Sequence, residues 1–202
     1  MASLPSVQDV QNSSSQPDSP LAVALTILFE HSPILTSRLT PELVATFSEG
    51  LTLSTYPEFI DVALHHIGAW NTVSQSEFIS GHPRIGESKH LSNLSAKEQG
   101  AQGLIPTPPE VLERLAYLNA CYEVVYPGLR YITFVNGRTR AAIMEELEGV
   151  LGLQHSLSTV EPVITDLKPV AIDGDAWRAE LTRAIDDIGR IAKSRLNALG
   201  VY

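Results

Sequence analysis

His82 stands between Gly81 and Pro83 in the stretch SGHPRIGE, residues 80–87. That pair of neighbours predicts a short helix ending and the chain leaving in an extended direction, because the residue before a proline is disfavoured in helical backbone. A histidine at a helix C-terminus has its cationic form favoured by the helix dipole, which suits a group that takes or gives a proton near neutral pH. A satisfied core or surface histidine fits the same pattern, so the residues alone leave both readings open.

A second stretch, SAKEQG at residues 95–100, reads as a capping box made by Ser95 and Glu98, followed by Gln99. In the plain reading Glu98 only reaches back to the Ser95 amide. In the functional one, the free N–H groups of a helix start receive an anionic ligand, with Glu98 and Gln99 at hand for hydrogen bonds. Lys193 and Arg195 read as a cationic last turn on the terminal helix, solvated in the plain reading.

Missing signatures prune the alternatives. The chain has no G-x-S-x-G, no G-x-x-x-x-G-K-[ST], no H-E-x-x-H and no G-x-G-x-x-G, which sets aside the hydrolase elbow, the P-loop, the zincin and the dinucleotide fold. His65 and His66 are adjacent, so on a helix they point about 100° apart and cannot close on one ion. No metal site is expected. The single cysteine, Cys121, can form neither an internal disulfide nor half of a zinc ribbon, and points to a reducing compartment.

Composition sets the frame for these groups. With 202 residues, 44% hydrophobic and 18% charged, the chain fits one globular domain with a sizeable core. Its 14 basic against 23 acidic residues, a net charge of −9, argue against nucleic acid as a partner, since that affinity is built from Lys and Arg neutralising phosphates. The apolar run Leu21 to Phe29 is too short to span a membrane and follows no basic flank, so neither a signal peptide nor a membrane span is expected there. The ending NALGVY lacks a Ser-Lys-Leu type of peroxisomal address, and a cytoplasmic location is expected, a peroxisomal one being the alternative.

The elements that must position these residues are helical. Residues 1–20, with six Ser and three Pro, are expected to be a disordered tail, and 21–202 the folded domain. Leu25, Leu28 and Phe29 mark one helix; Thr40-Pro41 and Pro57 open two more, the latter with an Ile60, Leu64, Ile67 stripe. Further helices are predicted from Ser74, Ser95, Thr107 and near Thr139, with Ser74/Glu77 as another capping box. The last helix is the clearest: Trp177, Leu181, Ile185, Ile188, Ala192 and Leu196 recur every three or four residues. Only YITFV, 131–135, is strand-like, and alone it makes no sheet. Residues 152–174 read as a long loop, and YPGLRY, 126–131, must bend. The predicted class is all-α, a single compact multi-helix domain.

Taken in order, FEHSP (29–33), GHPRIG (81–86), SAKEQ (95–99), LNACYEVVY (118–126), NGRTRAAIMEELEGVL (136–151) and IGRIAKSRL (188–196) resemble the 2-oxo-4-hydroxy-4-carboxy-5-ureidoimidazoline (OHCU) decarboxylases of urate breakdown. The resemblance implies an all-helical fold, commonly a homodimer, that turns this small-molecule substrate into (S)-allantoin with no cofactor and no metal. It puts the catalytic acid/base on His82 and its partner on Glu98. Substrate-binding positions fall on Pro83, Ser95, Gln99, Arg130, Tyr131, Ile132 and Arg195. Where the family has an aromatic-Gly-Phe-Pro-Phe segment against the substrate, this chain reads Tyr126-Pro127-Gly128-Leu129-Arg130. The loop at 152–174 is longer than the family link, and the step from His82 to Glu98 is shorter. Two rival readings follow from these departures: a family member acting on a different small acid, or a catalytically silent helical interaction module.

Overall fold

A computed structural model describes residues 3–87, 92–98 and 107–201. Among them the regular structure is entirely helical, as the periodicity predicts. The chain divides into two compact units, Met1–His82 with Ile185–Tyr202, and Pro83–Ala184.

The first unit begins with a correction. Residues expected to be a disordered tail contain a short helix, α1 (Val7–Gln11), capped by the Ser6 side chain, which accepts from the Asp9 N–H. Val10 is completely buried. The Gln11 side chain donates to the Leu51 carbonyl and accepts from the Leu53 N–H, and the Tyr56 hydroxyl donates to the Pro5 carbonyl. Composition averaged over the segment hides this, because one apolar side chain and a few bonds to backbone suffice to dock so short a helix.

Helix α2 (Pro20–Phe29) starts with Pro20 behind the Ser19 cap and buries Leu21, Ala22, Ala24, Leu25, Leu28 and Phe29. The next helix corrects the expected start at Thr40-Pro41. A π-helical turn over Leu35–Leu39 runs straight into α3 (Thr40–Ser48), and Thr40 is itself helical, its hydroxyl donating to the Leu35 carbonyl. Pro41 has no N–H to give, and the wider turn before it spares the chain the usual break. Helix α4 (Tyr56–Gly68) has the capping box on Thr55 and Glu58. It buries Ile60, Ala63 and Ile67, with Leu64 half-buried on the flank.

Helix α5 (Thr72–Ser80) is capped by Asn71, whose side chain accepts from the Ser74 N–H, so the expected capping box at Ser74 lies one turn inside the helix. Helix α9 (Asp175–Leu199) contributes Ile185, Ile188, Ala192 and Leu196 to the first unit's core. It packs on α4 at Gly189, where a Cβ would come within 2.7 Å of Leu64 Cδ1, and Lys193 pairs with Asp61 at 2.6 Å.

The second unit holds α6 (Asn93–Glu98), α7 (Pro109–Val125), α8 (Arg140–Val150) and the start of α9. Val111, Leu115, Leu118, Cys121 and Tyr122 of α7, Ile143, Met144 and Leu147 of α8, and Trp177, Leu181 and Ala184 of α9 form its core. Thr139 caps α8 as expected, accepting from the Ala142 N–H.

The loop at 152–174 is irregular apart from turns and one short 3-10 helix, Ile164–Asp166, yet it is tied down. Arg114 and Glu148, each 1% exposed, pair at 2.8 Å. Arg114 also donates to the carbonyls of Ser158 and Glu161, and Glu148 accepts from the Ser156 N–H and contacts His155. The Tyr117 hydroxyl donates to the Pro162 carbonyl. A loop without a hydrophobic period is thus held by polar groups reaching out of two helices.

Candidate functional site

His82 lies just past the end of α5, as the Gly-His-Pro order predicts. Gly81 is the C-cap, and the His82 N–H donates to the Ile79 carbonyl at 3.1 Å. The side chain is 3% exposed, its ring edge-on to Phe78 at 5.7 Å, and Phe78 in turn meets Phe29 and Trp70 edge-on. The imidazole therefore packs against the edge of an aromatic cluster. Gly81 has ordinary helical backbone angles. Its lack of a side chain is required instead by Ser32, because a Cβ at 81 would sit 2.7 Å from Ser32 Cβ.

Arg195 shares the first unit with His82. It is 1% exposed, a correction to the solvated last turn of the plain reading. Its Nη1 donates to the carbonyls of Ile27 and Leu28 at 3.0 and 3.1 Å, and its Nη2 to Glu30 Oε1 at 2.5 Å. These bonds close the C-terminal end of α2, where the last carbonyls have no partner within the helix. Glu30 is the C-cap, at φ 63° and ψ 164°, a conformation natural to glycine that costs other residues about 1–3 kcal/mol.

In the second unit, Pro83 is half-buried. Helix α6 starts a turn earlier than expected: Ser92 accepts from the Ser95 N–H at 3.1 Å, and the Ala96 N–H donates to the Ser92 carbonyl. Ser95, 3% exposed, is therefore a residue of the first turn and not its cap, which overturns the capping box with Glu98. Glu98 is the last residue of α6; its side chain, like all of Gln99, lies outside the described residues.

The bend at 126–131 is present, and residues 131–135 are neither helix nor strand. Arg130 is half-buried. Burial and then the Arg84 cation lower its guanidinium pKa, while the Glu87 and Glu123 carboxylates oppose them. Arg84 grips Glu123 with Nε and Nη2, at 2.6 and 3.1 Å. Arg130 thus belongs to a cluster of two cations and two carboxylates.

Tyr131 and Ile132 are buried, 1% and 4% exposed, and held by groups that sequence reasoning missed. The Tyr131 and Thr133 hydroxyls both donate to Glu146 Oε1, at 2.6 and 2.7 Å, and Arg138 pairs with the same carboxylate. Burial favours the protonated form of Glu146, but the hydrogen bonds from Tyr131, Thr133 and Arg138 outweigh it and hold the carboxyl below its ordinary range. From the other side, Arg183 donates to the Ile132 carbonyl at 2.8 Å and stands over the Tyr131 ring at 5.2 Å. Burial opposes the Arg183 charge, but its bonds to Glu180 keep it firmly cationic. The only sequence signal for this frame is acidic and basic side chains on otherwise ordinary helices, Glu146 on α8 and Glu180 with Arg183 on α9.

Among the described residues the regular structure is all helical, a histidine follows a helix end, and residues 131–133 are held by Glu146 and Arg183; that is the class these residues define. The family of OHCU decarboxylases matches residues 14–156, and the chain belongs to it. No curated protein matches the chain. The matched span takes in every expected site residue except Arg195.

Proposed function

We propose that this protein removes carbon dioxide from the ureidoimidazoline carboxylate OHCU, giving (S)-allantoin in urate catabolism, with neither metal nor cofactor. The observation that carries this reading is the family match over residues 14–156, a span that includes both His82 and Glu98. Cleavage of the bond between the ring carbon and its carboxylate releases carbon dioxide and leaves the electron pair on that carbon, where the conjugated ring spreads the charge. Such a reaction needs the carboxylate held out of the ring plane, hydrogen-bond donors for the developing anion and one proton. His82 delivers that proton to one face of the carbon, which yields a single enantiomer. A buried ring packed edge-on to Phe78 suits a one-sided transfer. Glu98 keeps the partner role that the resemblance implies, and Pro83, Ser95, Gln99, Arg130, Tyr131 and Ile132 the role of substrate binding.

The test uses OHCU generated freshly from urate and followed by circular dichroism. The protein is expected to form (S)-allantoin faster than spontaneous decay, and His82→Asn to lower turnover about a hundredfold or more with an unchanged far-ultraviolet spectrum. A folded, fully active His82→Asn variant overturns the assignment.

Arg130 favours a second reading. Half-buried beside Arg84, it carries a forked donor suited to carboxylates, which supports a different small acid, one with an additional or differently placed anionic group, as the substrate.

A further inference from the structure

We propose that Glu30 and Arg195 form a buried clamp that positions His82, acting through Ser32 and Gly81. The inference rests on the reading of His82 as the proton carrier and concerns the first unit alone.

The chain leaves α2 at Glu30, whose backbone angles, φ 63° and ψ 164°, glycine adopts without strain. A mere exit from the helix would be served by glycine. A carboxylate stands there instead, and it receives Arg195 Nη2 at 2.5 Å while Nη1 of the same guanidinium holds the carbonyls of Ile27 and Leu28. A buried guanidinium requires a countercharge, yet a buried ion pair is often no more stabilising than apolar side chains of equal volume. What the pair does supply is geometry. It locks the unusual conformation of Glu30, and that conformation sets the course of the next residues. Two positions on, Ser32, 2% exposed, lies so close to Gly81 that a Cβ on residue 81 would meet Ser32 Cβ at 2.7 Å. The following residue is His82. The contacts run from Arg195 to Glu30, along the chain to Ser32, across to Gly81 and on to the imidazole. Arg195 then acts on the protein itself, in place of the substrate contact expected from the resemblance.

The experiment is steady-state kinetics on freshly generated OHCU with Glu30→Gln, Glu30→Gly, Gly81→Ala and the double variant Ser32→Gly/Gly81→Ala, each checked by thermal melting. A positioning role predicts that Glu30→Gln and Gly81→Ala each lower kcat about fivefold or more while KM stays within about twofold. The double variant recovers most of the Gly81→Ala loss, because removing the Ser32 side chain returns the room. A smaller loss of kcat in Glu30→Gln overturns the proposal, and a raised KM with kcat retained overturns it in favour of direct substrate binding. If Glu30→Gly leaves Arg195 uncompensated and fails to fold, Glu30→Gln and Gly81→Ala decide alone. A wild-type protein that does not accelerate allantoin formation overturns the proposed function instead. The clamp is then read from the His82 ring resonances by nuclear magnetic resonance, identified by their loss in His82→Asn: a shift in Glu30→Gln supports it, and unchanged resonances overturn it.

Discussion

At position 130 a guanidinium stands where the resemblance implies an aromatic ring, and its half-burial beside Arg84, Glu87 and Glu123 gives that departure a physical consequence. A permanent charge in a partly desolvated place attracts an anion more strongly than one in bulk water. If Arg130 binds substrate, Arg130→Phe shifts preference toward OHCU, and kcat/KM for OHCU rises in the variant. A ratio within about twofold, under roughly 0.4 kcal/mol of transition-state difference, shows that Arg130 takes no part. Tyr131 is the contrasting case. Its hydroxyl donates to Glu146, and burial with that bond pushes the phenol far above its ordinary range.

At the scale of elements, the helix starts show what local sequence leaves open. Asn71 and Ser74 are both good caps, as are Ser92 and Ser95, and each pair is three residues apart. The glutamates three residues further on favoured the later member, but the structure uses the earlier one in both places. A helix gains a turn wherever the preceding residue can also cap it. The long loop gives a prediction at this scale. Arg114 is fully buried against Glu148 and donates to two loop carbonyls. Removing one partner of such a pair strands the other charge, so Arg114→Ala costs about 3–5 kcal/mol. The loss is read by denaturant unfolding. Limited proteolysis is expected to cut within 152–163 in the variant before any cut in the wild type, and equal protection would show that the loop is held otherwise.

For the whole molecule, no group of three His, Cys, Asp or Glu side chains placed to hold a metal occurs among the described residues, and none of their helices is long and apolar enough to cross a membrane. Cofactor independence is tested directly: exhaustive dialysis against a chelator is expected to leave the decarboxylation rate unchanged. Loss of activity restored by one metal ion would overturn that proposal.

Much of this was legible before any coordinates. The all-helical class, the last helix with its buried Trp177-to-Leu196 stripe, the cap at Thr139 and the placing of His82 after a helix end all follow from periodicity and from glycine and proline chemistry, which act within a few residues of chain. The sequence by itself also determined the family, because six motifs in order reflect a common arrangement. Only the tertiary structure decided what those short-range rules cannot reach. Gly81 is glycine because of Ser32, far away in the chain, and Arg195 is buried because α2 ends where its guanidinium lies. Residues 131–133 keep their conformation because Glu146 and Arg183 grip them from two helices, and α1 docks although its composition reads as disordered. In each case the deciding interaction joins residues that no spacing rule relates, since hydrogen bonds and close packing depend on distance in space, which the order of residues does not record.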